Sequence, residues 1–131
     1  MTDEHLHVEL VAADRTVWSG GATMVIARTT EGDVGVLRGH APMLSLLTDA
    51  VVEIVCDSED EVVIAAADGG FLSVANDRVS ILSEHAVLSE DIDVDEARAE
   101  LETARSLLPA DDAERRIRRA EARIRAVEKA R

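Results

Sequence analysis

FLSVANDRVSILS, residues 71–83, reads as two strand-like runs, FLSVA (71–75) and RVSILS (78–83), separated only by Asn76-Asp77. Both turn residues tolerate φ > 0 at low cost, so the dipeptide suits a tight hairpin. Immediately upstream, Asp68-Gly69-Gly70 supplies a second turn, preceded by the runs VVEIVC (51–56) and EVVIAAA (61–67). Further back lie VGVL (34–37), TMVIA (23–27) and LHVEL (6–10), the last placing Leu6, Val8 and Leu10 on one face and His7 and Glu9 on the other. That alternation is the signature of a half-buried strand. No gap is long enough for two or more crossover helices, so the predicted fold is an all-β sandwich or flattened barrel.

After about residue 88 the pattern changes. DIDVDEARAELETARSLL (91–108) has no turn signal and spaces Val94, Ala97, Leu101, Ala104 and Leu108 by threes and fours, as one stripe of a helix does. Asp93 is placed to cap its first turn, with Glu96 in capping-box position, and Pro109 ends the run. A second stripe, Ala113, Ile117, Ala120, Ile124 and Val127, follows a short link, with Asp111 as the candidate cap. Two stripes so joined predict an antiparallel hairpin with a small, alanine-rich seam. The division expected is therefore a β-sandwich domain at 1–88 and a helical hairpin at 89–131. Residues 89–112 hold nine acids and two arginines, −7, whereas residues 113–131 hold eight bases and three acids, +5, which favours approach of one helix to the other.

The 131 residues carry a formal charge of −13, are 47% apolar and only 2% aromatic, Trp18 and Phe71 being the whole aromatic set. An acidic chain without stacking platforms is a poor partner for nucleic acid. Cys56, the single cysteine, sits in an apolar run and reads as a buried thiol in a reducing compartment. The amino terminus lacks a signal-peptide pattern, and no apolar run approaches the 18 or more residues of a membrane span. Membrane association is therefore expected only through partners.

No catalytic constellation emerges. EGDVGVLRGH (31–40) has three glycines but not the Lys-Ser/Thr ending of a phosphate-binding loop. His40 has no nucleophile or paired metal ligand nearby in sequence, and His5 and His7 read as surface residues. Pro42 gives GHAP a defined corner, with Asp33 and His40 read as lying in one polar loop. Met43, Leu44, Leu46 and Leu47 suit either internal packing or a partner contact.

EGDVGVLRGHAPMLSLL (31–47), DGGFLSVANDRVSIL (68–82) and EDIDVDEARAELETAR (90–105) resemble, in order and spacing, the signature segments of the epsilon-subunit family of rotary F-type ATP synthases, in its bacterial, actinobacterial-like form. Arg38 stands where the family usually has proline, and Asp49-Ala50 where Pro-Gly is common. The resemblance covers nearly the whole chain and implies a non-catalytic subunit, peripheral on the cytoplasmic face of the membrane, whose sandwich contacts the gamma subunit and the c-ring. It implies coupling-interface roles for Asp33, Gly39, His40, Ala41 and Pro42. In inhibitory members the extended hairpin meets the catalytic-head beta and alpha subunits, making Arg115, Arg116, Arg118, Arg119, Arg123 and Arg125 contact candidates here. No cofactor is required, but some bacterial members bind ATP at the hairpin, and Asp95, Arg98 and Arg105 answer that motif. A nucleotide-sensing module is thus the alternative function. Within the helix itself, Arg98 and Arg105 also have Asp95 and Glu102 as pairing partners at helical spacing.

Overall fold

The fold is organised around one long strand. In a computed structural model describing residues 5–58, 61–109 and 111–130, β2 (Thr16–Thr29) pairs antiparallel with β1 (Leu6–Val11), then with β3 (Gly32–Leu37) and β5 (Ala50–Cys56). Its register against β5 shifts between Ala22 and Met24, a bulge of the kind that bends a strand from one layer toward another. β1 runs parallel to β8 (Arg78–Leu82), β8 pairs with β7 (Phe71–Ala75), and β7 with β4 (Met43–Leu46). On the other flank β5 pairs with β6 (Val62–Ala67) and β6 with β9 (Ala86–Leu88). This nine-stranded sandwich matches the expected class.

Alternation produces the core. Leu6, Val8 and Leu10 of β1 turn inward onto Val79 and Ile81 of β8, Leu72 and Val74 of β7, and Val52 and Ile54 of β5. At about 25 cal/mol per Å² this aliphatic cluster supplies the main driving force for folding, and aromatics contribute little to it. Trp18 only borders the cluster. Cys56 is buried as a free thiol, and burial, followed by the nearby Glu61 and Asp57 charges, raises its pKa.

Asn76 and Asp77 both adopt positive φ, 51° and 61°, forming the two-residue turn between β7 and β8. Gly70 is required by its surroundings. At φ 105°, a Cβ there would collide with the Leu82 carbonyl oxygen.

β6 is apolar on both faces for a reason. Ala65 and Ala67 enter the sandwich core, while Ile64 and Ala66 form a second cluster with Ala122 and Ala126. Those alanines belong to α2 (Asp111–Lys129), which follows α1 (Val94–Ser106). The Asp93 carboxylate caps α1 by accepting the Asp95 and Glu96 amides at 3.1 Å each. The cap proposed for Asp111 falls on a side chain outside the described residues. Ala97 and Ala104 of α1 and Ala113 and Ala120 of α2 are buried in the helical pair. Leu108 departs from its expected place in the stripe. It lies beyond the end of α1 and is exposed, because the helix ends before the bond to Pro109.

Candidate functional site

α2 carries two rows of alanine, one turned to α1 and one to β6, and its cations flank the second row. Arg123 donates two hydrogen bonds to Asp68, Nη1 to Oδ1 at 2.9 Å and Nη2 to Oδ2 at 2.8 Å. Asp68 follows β6 with its side chain only 2% exposed, and its own amide is held by Ser83 Oγ and the His85 carbonyl. Arg119 Nε stands 3.5 Å from Asp49 and 3.9 Å from Asp68, buried without a hydrogen bond, while its Nη2 is 3.9 Å from Glu84. Arg118 approaches Asp49 at 3.6 Å and Lys129 approaches Glu53 at 3.6 Å. Long, partly exposed pairs contribute about 0–1 kcal/mol each. The bidentate, desolvated Arg123–Asp68 pair is the strongest of the group.

The expected attraction between the two helices is present as an ion pair, and further cations of α2 pair with the sandwich. Among the described residues, the ion pair between the helices is Arg116 Nε to Glu100 Oε1 at 2.6 Å, a hydrogen bond that lowers the Glu100 pKa and raises that of Arg116. Four other basic side chains of α2 turn to sandwich carboxylates instead. The reason is geometric: in α1 the Asp93 carboxylate is taken up by the helix's own first turn, while Asp49, Asp68 and Glu84 all stand within reach of the α2 cations. Arg115 and Arg125 are exposed and make no ion pair among the described residues.

A cavity of about 610 Å³ lies between the hairpin and the sandwich, lined in part by Asp68, Glu100, Arg116, Arg119 and Arg123. The residues matched to the nucleotide motif do not line it. Asp95 sits exposed in the first turn of α1, Arg98 is exposed, and Arg105 pairs with Glu102 at 3.8 Å. Arg116, Arg119 and Arg123, which the family resemblance makes partner contacts, line the cavity instead. Their spacing of three and four was the available signal.

The coupling candidates divide between two places. Asp33 lies on β3 with Arg28 Nε 3.3 Å from its Oδ1, across the ladder from it. Gly39, His40, Ala41 and Pro42 form the loop after the far end of β3, about 13 Å of strand away at about 3.3 Å per residue. One polar loop holding both Asp33 and His40 is therefore replaced by a strand position and a separate corner. His40 Nδ1 is 2.7 Å from the Ala41 carbonyl oxygen, and the Gly39 amide is bonded to Asp77.

Beyond this corner β4 opens an apolar surface. Leu47 is buried and Met43 packs at the core margin, but Leu44 is 71% exposed and Leu46 53%. Leu46 stands opposite Phe71, and Phe71 opposite Leu82, so three exposed apolar side chains line up across β4, β7 and β8. Among the described residues no cluster of three or more His, Cys, Asp or Glu is arranged to hold a metal, and no helix is long and apolar enough to cross a membrane.

Comparison with known proteins agrees with this architecture. The family described as ATP synthase, Delta/Epsilon chain, beta-sandwich domain matches residues 5–89. The ATP synthase epsilon chain of Streptomyces griseus is 55% identical over 93% of this chain and 94% of its own length. That of Rhodococcus jostii is 50% identical over 94% of this chain and 96% of its own. A chain of the Euglena gracilis mitochondrial ATP synthase shares the fold at a TM-score of 0.74 and 23% identity, covering 99% of this chain and 81% of that one. With a family match over most of its length and relatives at 50% identity or more along nearly all of it, the chain belongs to the ATP synthase epsilon chain family.

Proposed function

We propose that this chain is a non-catalytic central-stalk subunit of a proton-translocating F-type ATP synthase, peripheral on the cytoplasmic face of the membrane, that couples the gamma subunit to the c-ring. The observation that carries this reading is the Leu44, Leu46, Phe71 and Leu82 surface. Contiguous exposed apolar side chains on an otherwise acidic protein mark a partner site. We assign that surface to gamma, and Asp33 with the Gly39–Pro42 corner to the ring.

Purification from membranes tests it. The subunit is expected to be recovered with gamma and the ring, and Leu44→Asp with Phe71→Asp is expected to abolish recovery while leaving the fold intact. A folded monomer that never joins the complex overturns the reading.

The hairpin is proposed as a brake on ATP hydrolysis, its second helix exchanging the sandwich carboxylates for an acidic surface on the beta and alpha subunits. Arg115 and Arg125, exposed and without ion pairs among the described residues, are the side chains ready for that surface. Deleting residues 113–131 should raise hydrolysis by the assembled enzyme, and unchanged hydrolysis sinks the brake.

A second reading, ATP binding at the hairpin, is favoured by the size of the cavity, within the range of about 300–1,000 Å³ usual for ligand pockets. In that case Arg116, Arg119 and Arg123 would meet the phosphates, in place of Arg98 and Arg105. Calorimetric titration of the isolated subunit with ATP tests this, and no heat at millimolar nucleotide overturns it.

A further inference from the structure

Gly39 and Asp77 are 38 residues apart in sequence, yet the Gly39 amide donates to Asp77 Oδ1 at 2.6 Å. Asp77 is the second residue of the β7–β8 turn, and its backbone carbonyl accepts the His7 amide at 2.9 Å. One residue therefore ties together the start of β1, the β7–β8 turn and the corner after β3. Gly39 has a positive φ of 83° with nothing within 4 Å of where a Cβ would stand, and Gly39, Ala41 and Pro42 are all exposed. Two further bonds within the loop are local: the His40 amide donates to the Leu37 carbonyl at 3.1 Å, and the His40 ring nitrogen lies against Ala41. Such bonds shape the turn but do not aim it.

A charge-assisted bond from a carboxylate whose backbone is already anchored to two strands adds an orienting contact from outside the loop. We propose that Asp77 is a positioning residue, acting through the Gly39 amide to hold the Gly39–Pro42 corner in the attitude with which the subunit meets its rotor partner. The use of the corner rests on the coupling function proposed above. Its orientation by Asp77 rests on the geometry alone.

Asp77 has a competing reason to be present, since aspartate tolerates left-handed φ. Three substitutions separate the roles. Asp77→Gly keeps the backbone conformation and removes the acceptor, Asp77→Asn keeps both, and Asp77→Ala loses both. In the isolated full-length subunit, hydrogen exchange by NMR should show the Gly39 amide exchanging at least about tenfold faster in D77G, with Val74 and Val79 unchanged and near-normal protection in D77N. Unchanged Gly39 exchange in D77G, or equal acceleration at Val74 and Val79, overturns the positioning role. In membrane vesicles carrying the assembled enzyme, protons pumped per ATP hydrolysed should fall about twofold or more in D77G and recover in D77N. Faster Gly39 exchange with unaltered pumping overturns the corner's part in coupling and leaves the tether itself standing, so the two failures are distinguishable.

Discussion

Asp68 and Arg123 join the sandwich to the hairpin through two bonds of 2.9 and 2.8 Å, with the carboxylate almost wholly withdrawn from water. Arg123→Ala leaves that carboxylate with Arg119 at 3.9 Å as its remaining close cation. Loss of hydrogen bonds to a charged group costs about 1.5–3 kcal/mol. The α2 amides should then exchange roughly 10- to 150-fold faster, while those of β1 and β8 stay as they were. Arg123→Lys should recover only part of the loss, because an ammonium group cannot make the paired bonds.

The sandwich should fold without the hairpin. Its core, from Leu6 to Ala86, contains no helical residue, so a fragment ending at residue 88 is expected to give a β-type circular dichroism spectrum and a cooperative melt. It should melt below the full chain, since Ile64 and Ala66 lose the cover of Ala122 and Ala126. An unfolded fragment would refute the division at 88.

Gly70→Ala should be among the most damaging single-methyl additions. The new Cβ meets the Leu82 carbonyl, and φ at this position disfavours any L side chain, so a loss of about 2–4 kcal/mol is expected. Urea melts of the mutant and the parent will measure it.

Acid should loosen the hairpin through Glu100. Its folded pKa lies below the ordinary carboxylate value, chiefly because Arg116 donates a hydrogen bond to it. The group's contribution is therefore complete above the unfolded value of about 4.3 and disappears as pH falls through the lower folded value. Glu100→Gln should flatten the part of the stability profile below pH 4.5, and an identical acid slope in the mutant would contradict the assignment.

The strands were legible where apolar and polar residues alternate, as in LHVEL, and the β7–β8 turn where Asn76-Asp77 demanded it. Less legible was the first half of β2, TVWSGGA, which lies ahead of the apolar run TMVIA and carries no alternation of its own. Gly20 sits against the Trp18 ring, where a Cβ would come 2.8 Å from it, and no local pattern announces such a contact. β4 stayed ambiguous because Leu44 and Leu46 face outward, so that its apolar residues do not alternate with polar ones. The docking of α2 was hidden by Ala122 and Ala126, which are too small to stand out beside the Ile117–Ile124 stripe. Its trace was the unbroken apolar run of β6, a strand that has to be covered on both sides. Basic character along α2 was plain, but the direction of each arginine depends on turns distant in sequence.

Three of those turns place Asp49, Asp68 and Glu84 around one groove, and the consequence is kinetic. Their summed negative field reaches about 10 Å into a 0.1 M salt solution, far enough to draw an undocked basic helix back before any side chain touches. The paired bonds between Arg123 and Asp68 act only at contact, and so resist departure. Arrival and departure of α2 are thereby set by different atoms: added salt should slow the first, and substitution of Arg123 should hasten the second.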